Sequence, residues 1–495
     1  MTAYEKNISA ADSVRGCWLG KNIGGTLGAP FEGKPDLHDI SFYVQKDLNG
    51  NPVPNDDLDL QLVWLTLAEY YGIYRLTPRM LGEYWVNAIT GPWNEYAVCR
   101  WNCQTGFYPP LSGAVDNEKW FRSNGAWIRS EIWACLFPGD PDAAIGFARL
   151  DACCDHAGEG IYAEMFTSAL ESAAFVEKDL RKLIAIALSK VPENSRVARS
   201  VKLACDCFDS GEDWVSARNR VVEDSADLGW FQAPGNLGFL VIGLLYGRGD
   251  FGRTVCIAVN CGDDTDCTAA TAGAVMGILH GADNIPGEWK KPIGDNIITK
   301  CINHFSLPLP APKTIAELTS RVLALQERIA SEFPRPRPEN LYAQETAAEL
   351  WAKSPYELDF NISFACIGVE YSQGPLVEPC KKCPIRIWVK SPVASMPEFR
   401  FRWLLPEGWR SSIPEFFLAG KNFTCSFAET DLTPPDNLAH AMIYLTLEVT
   451  ANDRLCPAHV IVPLRRRNAV HHELVKLDPD SSGPAEMILR CMGRI

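Results

Sequence analysis

The sequence predicts an all-α domain in residues 1–355 and an antiparallel β-sandwich in residues 356–495. Apolar residues recur at helical spacing through the first two thirds of the chain, and from Leu358 onward they alternate with polar residues. A proline-rich connector at residues 334–338 lies between the two patterns. At 495 residues, the chain is also too long for one ordinary domain. Two domains of different class are therefore expected.

The N-terminal elements follow from small residues, turn residues and aromatic residues. Residues 11–23 predict a tightly packed helix, which the glycines of residues 24–28 end in a turn, with Glu32 just beyond it. Residues 91–113 are rich in proline and aromatic side chains, which indicates a loop. The aromatic rings of that loop would either seal the core or stack on a ligand at the rim of a cleft.

The C-terminal region predicts an immunoglobulin-like sandwich. Five or more segments alternate between apolar and polar residues, which is typical of strands buried on one face, and turn-rich loops separate them. The clearest segments are 360–364, 385–389, 399–403, 443–449 and 460–462. No catalytic constellation is evident among them.

Two short acidic segments, 55–59 and 262–266, each stand directly before a run with helical character. Aspartate is an ordinary helix cap, so one acidic residue in a first turn carries little information. Adjacent carboxylates, however, repel one another unless a cation joins them, and a hard divalent ion prefers oxygen ligands. If the two helix starts meet across one cleft, they would supply enough oxygens for two metal ions.

These segments resemble motifs of the ADP-ribosylglycohydrolase family. Residues 24–32, 55–58 and 262–267 are similar to the family's G-D-A-L-G-x-P-x-E, T-D-D-T and G-G-D-T-D-T, in the family's order. Residues 124–129 and 155–156 are similar to N-G-G-A-M-R and T-H. The resemblance covers roughly residues 12–300, and it implies an all-helical fold with two divalent cations, Mg²⁺ or Mn²⁺.

The resemblance also implies an activity and a set of residues. The activity is hydrolysis of an N- or O-glycosidic bond at the anomeric carbon of ADP-ribose or a related ribosyl substrate. The metal ligands would be Asn55, Asp56, Asp57, Asp264 and Asp266. The catalytic residues would be Glu32, Asp57 and Asp264. The substrate-binding residues would be Asn124, Arg129 and His156. Tyr162 and Trp230 lie in neighbouring segments that are expected to face the cleft, and they are counted with these three.

Several positions depart from the family pattern. Asn55, Leu58 and Cys267 stand where the family has threonine, and Gly25 stands where it has aspartate. A thiol is a poor ligand for a hard cation, so Cys267 weakens the expected metal site. Two alternatives therefore stay open. One is an O-glycosidase that acts on a simple sugar or glycoside, and the other is a catalytically impaired protein that binds a ligand.

The composition limits the partners. The net charge of −14 and the pI near 5.2 argue against nucleic acid or an anionic membrane as a partner and leave a small-molecule or glycoside substrate. Residues 1–15 lack the apolar core of a signal sequence, and no later run is long enough to cross a bilayer, so a cytoplasmic protein is expected. A homo-oligomer is compatible with the sequence. Cys380 and Cys383 have zinc-ligand spacing without a second pair, which makes structural zinc the weaker interpretation.

Overall fold

The computed structural model describes residues 8–391, 397–420 and 425–469 of the chain. The chain divides into two compact units. The first unit comprises Met1–Tyr96 and Asn117–Ala352, and the second comprises Ala97–Asp116 and Lys353–Ile495. Within the described ranges, no helix combines the length and the apolarity needed to span a bilayer.

The described ranges contain seventeen α-helices, most of them in the first unit. Their bounds are α1 Ala10–Gly28, α2 Asp56–Tyr71, α3 Pro78–Asn87, α4 Asn94–Gln104, α5 Leu111–Ala114, α6 Glu131–Leu136, α7 Pro141–Ala152, α8 Glu159–Ala174, α9 Leu180–Ser189, α10 Arg196–Asp209, α11 Trp214–Asp224, α12 Ala233–Gly247, α13 Phe251–Asn260, α14 Thr265–His280, α15 Gly287–Lys290, α16 Ile315–Glu332 and α17 Glu345–Trp351. Short 3-10 turns lie at Ala29–Phe31, Ile73–Arg75, Trp127–Arg129 and His304–Ser306.

Helices α1 and α14 pack backbone against backbone at the centre of the first unit. An ideal Cβ built on Gly20 would lie 2.5 Å from the carbonyl carbon of Gly273, well inside ordinary contact. Gly16 and Gly24 meet the α14 backbone in the same way one turn to either side. The predicted turn at residues 24–28 is wrong, because these glycines continue α1 to Gly28 and allow the close approach instead of ending the helix.

The predicted aromatic loop at residues 91–113 is also wrong in part, since α4 occupies Asn94–Gln104. From Ala97 onward, this segment belongs to the second unit. Phe107, Leu111 and Val115 are buried in the core of that unit together with the strand residues. The Arg465 guanidinium bonds Asp116 at 2.6 Å and Asn102 Oδ1 at 2.9 Å. A piece of the helical sequence therefore completes the sandwich.

The second unit is built from two five-stranded sheets. The strand bounds are β1 Glu357–Ile362, β2 Ala365–Tyr371, β3 Leu376–Val377, β4 Cys383–Lys390, β5 Glu398–Leu404, β6 Arg410–Ser411, β7 Glu415–Ala419, β8 Ser426–Thr433, β9 Met442–Ala451 and β10 Ala458–Arg466. One sheet has the order β1-β2-β4-β8-β6 and the other β3-β10-β9-β5-β7. All neighbours are antiparallel except β3 and β10. The predicted fold class, a helical domain followed by a β-sandwich, is confirmed.

Candidate metal centre

The start of α2 provides the first half of the candidate site. Asn55 is the N-cap residue, and its Oδ1 accepts a hydrogen bond from the Asp57 backbone N–H at 2.8 Å. Because the amide does the capping, the Asp57 carboxylate is free for another role. Asp57 is buried, with 2% of its surface exposed. An acidic helix cap therefore does not account for this carboxylate.

The start of α14 provides the second half. Asp264 stands at the N-cap position, yet its side chain makes no capping hydrogen bond. Gly262 and Asp263 both have positive φ, of 81° and 68°, and this sharp turn delivers Asp264 and Asp266 to the interior. The Asp263 carboxylate accepts the Phe231 backbone N–H at 2.9 Å, so it anchors a neighbouring loop. Of the three carboxylates of this segment, those of Asp264 and Asp266 are buried in the interior, and that of Asp263 holds a neighbouring loop.

The two helix starts meet. One oxygen each of Asp57 and Asp266 and the Sγ of Cys267 lie within 4.8 Å of one another, and so do oxygens of Glu32, Asp264 and Asp266. Asp266 belongs to both groups. The acidic segments, separated by about two hundred residues of sequence, therefore form one cluster, as the sequence led us to expect.

The donor atoms of this cluster fit a divalent cation. Asp57 Oδ2, Asp264 Oδ1 and Asp266 Oδ1 are buried and have no hydrogen-bond partner. A buried carboxylate oxygen without a hydrogen bond is costly, and a hard cation is a suitable partner for such oxygens. The Lys21 ammonium, 3.9 Å from Asp57 Oδ2, is the protein charge nearest to one of them. Burial raises the pKa of each of these carboxyls, and repulsion from neighbouring carboxylates adds to the rise, although the Lys21 ammonium opposes it at Asp57. A positive charge at this place would reverse that effect.

Asn55 and Asp56 lie beside these three carboxylates but are already bonded. Asn55 Nδ2 is 3.4 Å from Asp266 Oδ2, a long hydrogen bond. Asp56 Oδ1 is 2.8 Å from the Nζ of Lys300, and Asp56 Oδ2 accepts the hydroxyl of Tyr96 at 3.2 Å. The structure thus brings Asp56 to the cluster with both its oxygens engaged by protein groups. Its predicted role as a metal ligand stays a prediction.

Sequence reasoning missed Lys300 and left the role of Asp59 open. Asp59 is fully buried, and its Oδ2 accepts the backbone N–H groups of Lys300 and Cys301, each at 2.7 Å. The extra carboxylate in α2 therefore holds a distant segment of backbone against the cluster. No local pattern marks Lys300, because its contact with Asp56 joins residues far apart in sequence.

Cys267 takes part in the cluster as a thiol. Its Sγ lies 3.6 Å from Asp57 Oδ1, in position to donate a hydrogen bond. Burial, followed by the nearby carboxylates, raises the pKa of this thiol well above its usual value. A thiol in that state is not a ligand for a hard cation, because the thiolate is the ligating form.

Glu32 lies at the exposed side of the cluster. Repulsion by the Asp266 carboxylate, followed by desolvation, raises the pKa of Glu32 to about 8. It is the member of the cluster that solvent reaches. An exposed carboxyl beside buried ones is suited to moving a proton between the site and solvent.

The predicted substrate-binding residues fall into two sets. Asn124 is buried and donates from Nδ2 to Asp264 Oδ2 at 2.6 Å, so it positions a carboxylate of the cluster. Arg129 and His156 are fully buried in an ion-pair network, in which Arg129 bonds Asp151 and Asp155 at 2.9 and 2.7 Å.

His156 contacts Asp155, which also binds Arg129, and it contacts Ser123. His156 Nδ1 is 2.8 Å from Asp155 Oδ1, and its Nε2 is 3.1 Å from Ser123 Oγ. By contrast, Tyr162 is half-buried and Trp230 is 55% exposed, with the Trp230 ring centroid 5.3 Å from that of Phe231. A substrate-binding role for the five predicted residues stays a prediction.

The fold and the cluster together define a class, namely a helical domain with an acidic candidate metal centre at the starts of two helices. The model of the ADP-ribosylglycohydrolase family matches residues 6–331, and the chain therefore belongs to that family, whose members are hydrolases. The resemblance seen in the sequence is thereby confirmed.

Two further comparisons add little to this assignment. A solved structure named as an ADP-ribosylglycohydrolase-related protein complex is 21% identical, with a TM-score of 0.39, and the match covers 64% of this chain and 98% of that one. No curated protein matches the chain. The assignment to the family therefore depends on the match of residues 6–331 to the family model.

Proposed function

We propose that the chain is a divalent-metal-dependent glycohydrolase that hydrolyses an N- or O-glycosidic bond at the anomeric carbon of ADP-ribose or a related ribosyl substrate. One observation carries the proposal. Asp57, Asp264 and Asp266 come from two helix starts of a hydrolase-family fold, and each has a buried oxygen without a hydrogen-bond partner. The family resemblance implies two ions, Mg²⁺ or Mn²⁺.

Asp57, Asp264 and Asp266 would hold the metal in this proposal. When bound, a divalent cation supplies a positive charge that can orient vicinal hydroxyls and make a water more nucleophilic. The chain's own residues set the rest of the site. Asn124 fixes Asp264, and the Asn55 cap fixes the first turn of α2. Fixed ligands reduce the reorganisation that the reaction needs.

Glu32 is the proposed proton-transfer residue. Its oxygen lies within 4.8 Å of oxygens of Asp264 and Asp266, and its side chain is exposed, so both substrate and solvent can reach it. We propose that it exchanges the proton with the leaving group or the attacking water. Glu32→Gln would keep the size of the side chain and remove this exchange.

A second candidate is an O-glycosidase for a simple sugar, and the exposed Trp230 favours it. Its ring is open to solvent beside Phe231, and Asp263 anchors that loop. An exposed, anchored indole suits the apolar face of a neutral sugar. The third possibility, a ligand-binding protein without activity, is favoured by the Cys267 thiol in the cluster.

Calorimetry tests metal binding first. Asp264→Asn retains the shape of the side chain and an oxygen that can accept from Asn124, but it loses the charge. We expect it to abolish Mg²⁺ and Mn²⁺ binding. Asp47→Asn, which alters an exposed loop aspartate, is the matched control and should bind like the unaltered chain. Equal affinity in all three proteins contradicts the proposed metal centre.

The substrate is tested by titrating ADP-ribose with Mg²⁺ present, beside turnover of a panel of aryl glycosides. Metal-dependent binding of ADP-ribose that Asp264→Asn removes supports the leading substrate. Aryl glycoside turnover without ADP-ribose binding refutes that substrate and favours the O-glycosidase. If metal binds and both assays are silent, the ligand-binding alternative is favoured.

A further inference from the structure

The acidic cluster contains two adjoining groups of donor atoms that differ in their chemistry. One group consists of oxygens of Glu32, Asp264 and Asp266. The other consists of oxygens of Asp57 and Asp266 and the Sγ of Cys267. The atoms of each group lie within 4.8 Å of one another, so each group is compact enough to surround one ion. Because oxygen and sulfur donors select different metals, the two positions are chemically distinct.

The Cys267 sulfur lies against a carboxylate of its own group. Its Sγ is 3.6 Å from Asp57 Oδ1. Zinc binds cysteine sulfur at about 2.3 Å and carboxylate oxygen at about 2.1 Å, so two such ligands of one tetrahedral ion are about 3.6 Å apart. The sulfur and the oxygen are therefore already spaced as ligands of one ion.

The carboxylates around this sulfur lack hydrogen-bond donors. Asp57 Oδ2 and Asp266 Oδ1 are buried without a hydrogen bond, and Cys267 itself is buried. The Lys21 ammonium lies 3.9 Å from Asp57 Oδ2, so it approaches that carboxylate at the oxygen that does not face Cys267. A cation on the Cys267 side would satisfy oxygens that are costly to bury without a partner.

We propose that Cys267 is a metal ligand, and that the position it forms with Asp57 and Asp266 takes a borderline cation such as Zn²⁺ or Co²⁺. The oxygen-only position at Glu32, Asp264 and Asp266 keeps a hard ion, Mg²⁺ or Mn²⁺. When the ion binds, a metal–sulfur bond replaces the S–H bond, and the thiol proton is released to solvent. This inference rests on the proposed metal centre and specifies the metal of one of its two positions. Cysteine in place of the threonine of the family pattern thus changes the metal that this position prefers.

Cobalt reports on a sulfur ligand without any need for activity. A thiolate bound to Co²⁺ absorbs in the near ultraviolet through charge transfer, and oxygen ligands do not give this band. The full-length chain is titrated with Co²⁺ under reducing conditions and followed by absorption, and its affinities for Zn²⁺ and Mn²⁺ are measured by calorimetry.

Three variants accompany the unaltered chain. Cys267→Thr introduces the residue of the family pattern, and Cys267→Ser keeps the size of the side chain. Cys261→Ser is the matched control, because Cys261 is a nearby buried cysteine that belongs to neither group of donor atoms. Circular dichroism verifies that each variant is folded.

We expect the charge-transfer band in the unaltered chain and in Cys261→Ser, and its loss in both Cys267 variants. The Cys267 variants should bind Zn²⁺ at least about tenfold more weakly, because removal of a ligand costs no less than removal of a contact that supports one. Their affinity for Mn²⁺ should not fall, since the oxygen-only position is unaltered.

Two kinds of result contradict the proposal. Co²⁺ binding without the band, a band that persists in both Cys267 variants, or unchanged Zn²⁺ affinity in both variants overturns the role of Cys267 and leaves the proposed metal centre in place. No binding of Mn²⁺, Zn²⁺ or Co²⁺ by the unaltered chain overturns the metal centre, and the role of Cys267 with it.

Discussion

Substitution of Gly20 by alanine tests whether the contact between α1 and α14 organises the helical unit. The new Cβ would lie 2.5 Å from the Gly273 carbonyl carbon, where ordinary contact begins at 3.4 Å. The obstacle is backbone in the middle of another helix, so no side chain can rotate away. The two helices must move apart, or both must bend.

The magnitude follows from two opposing effects. Alanine in a helix interior gains roughly 0.5–1 kcal/mol over glycine. Extra volume in a packed core costs roughly 1–3 kcal/mol even when side chains adapt, and here the backbone has to yield. We therefore expect a net loss of about 2 kcal/mol or more in the free energy of unfolding. Since α14 begins at the acidic cluster, its displacement should also weaken Mn²⁺ binding.

Gly146→Ala is the control for this prediction. Gly146 lies inside α7, and a Cβ built there meets no atom within 4 Å. The same substitution should therefore stabilise the chain by roughly 0.5–1 kcal/mol. Urea unfolding followed by circular dichroism measures both variants. If Gly20→Ala is as stable as Gly146→Ala and binds Mn²⁺ like the unaltered chain, the close packing of α1 on α14 does not hold the site.

Two other predictions concern a buried carboxyl and the division of the chain. Burial raises the pKa of Glu95 to about 7 from 4.5, so the stability that its neutral form provides is present below pH 4.5 and is lost as the pH rises through 7. The free energy of unfolding of Glu95→Gln should exceed that of the unaltered chain by up to about 3 kcal/mol above pH 8 and should equal it below pH 4. A difference in stability that does not depend on pH contradicts the raised pKa of Glu95. A fragment ending at Ala352 leaves Phe107, Leu111 and Val115 without the strand residues that bury them, so it should aggregate or bind a hydrophobic dye. Serine at these three positions should reduce that effect, and a fragment as soluble as the full chain refutes it.

Much of the site could be predicted because its signals are local. Acidic residues immediately before a helical run must lie at a helix start, whatever the rest of the fold does. Asp57, Asp264 and Asp266 were found in this way, and the structure brings them together. The switch of periodicity after the proline-rich connector likewise indicated the sandwich, since the side-chain period depends only on the local backbone.

Other features were decided by contacts between residues distant in sequence. The sequence pattern predicts a turn at the glycines near the end of α1. In the structure these glycines are part of the helix, where their lack of a side chain allows the close approach of the α14 backbone. The sequence pattern predicts that residues 97–116 belong to the helical domain. In the structure they belong to the second unit, where Phe107 is buried among strand residues. In both cases the packing partner, absent from the local pattern, selects between conformations that the residues themselves permit.

The sequence by itself determined the fold class, the two helix starts and the carboxylates that they carry, because periodicity and helix-start composition act over a few residues. Only the tertiary structure decided what each carboxylate does. Asp263 and Asp59 bond backbone N–H groups of distant segments, Asp56 pairs with Lys300, and Asp57 retains a buried oxygen without a hydrogen bond. The physical reason is that a carboxylate's role depends on which donors reach it, and in this fold those donors come from chain segments far away in sequence.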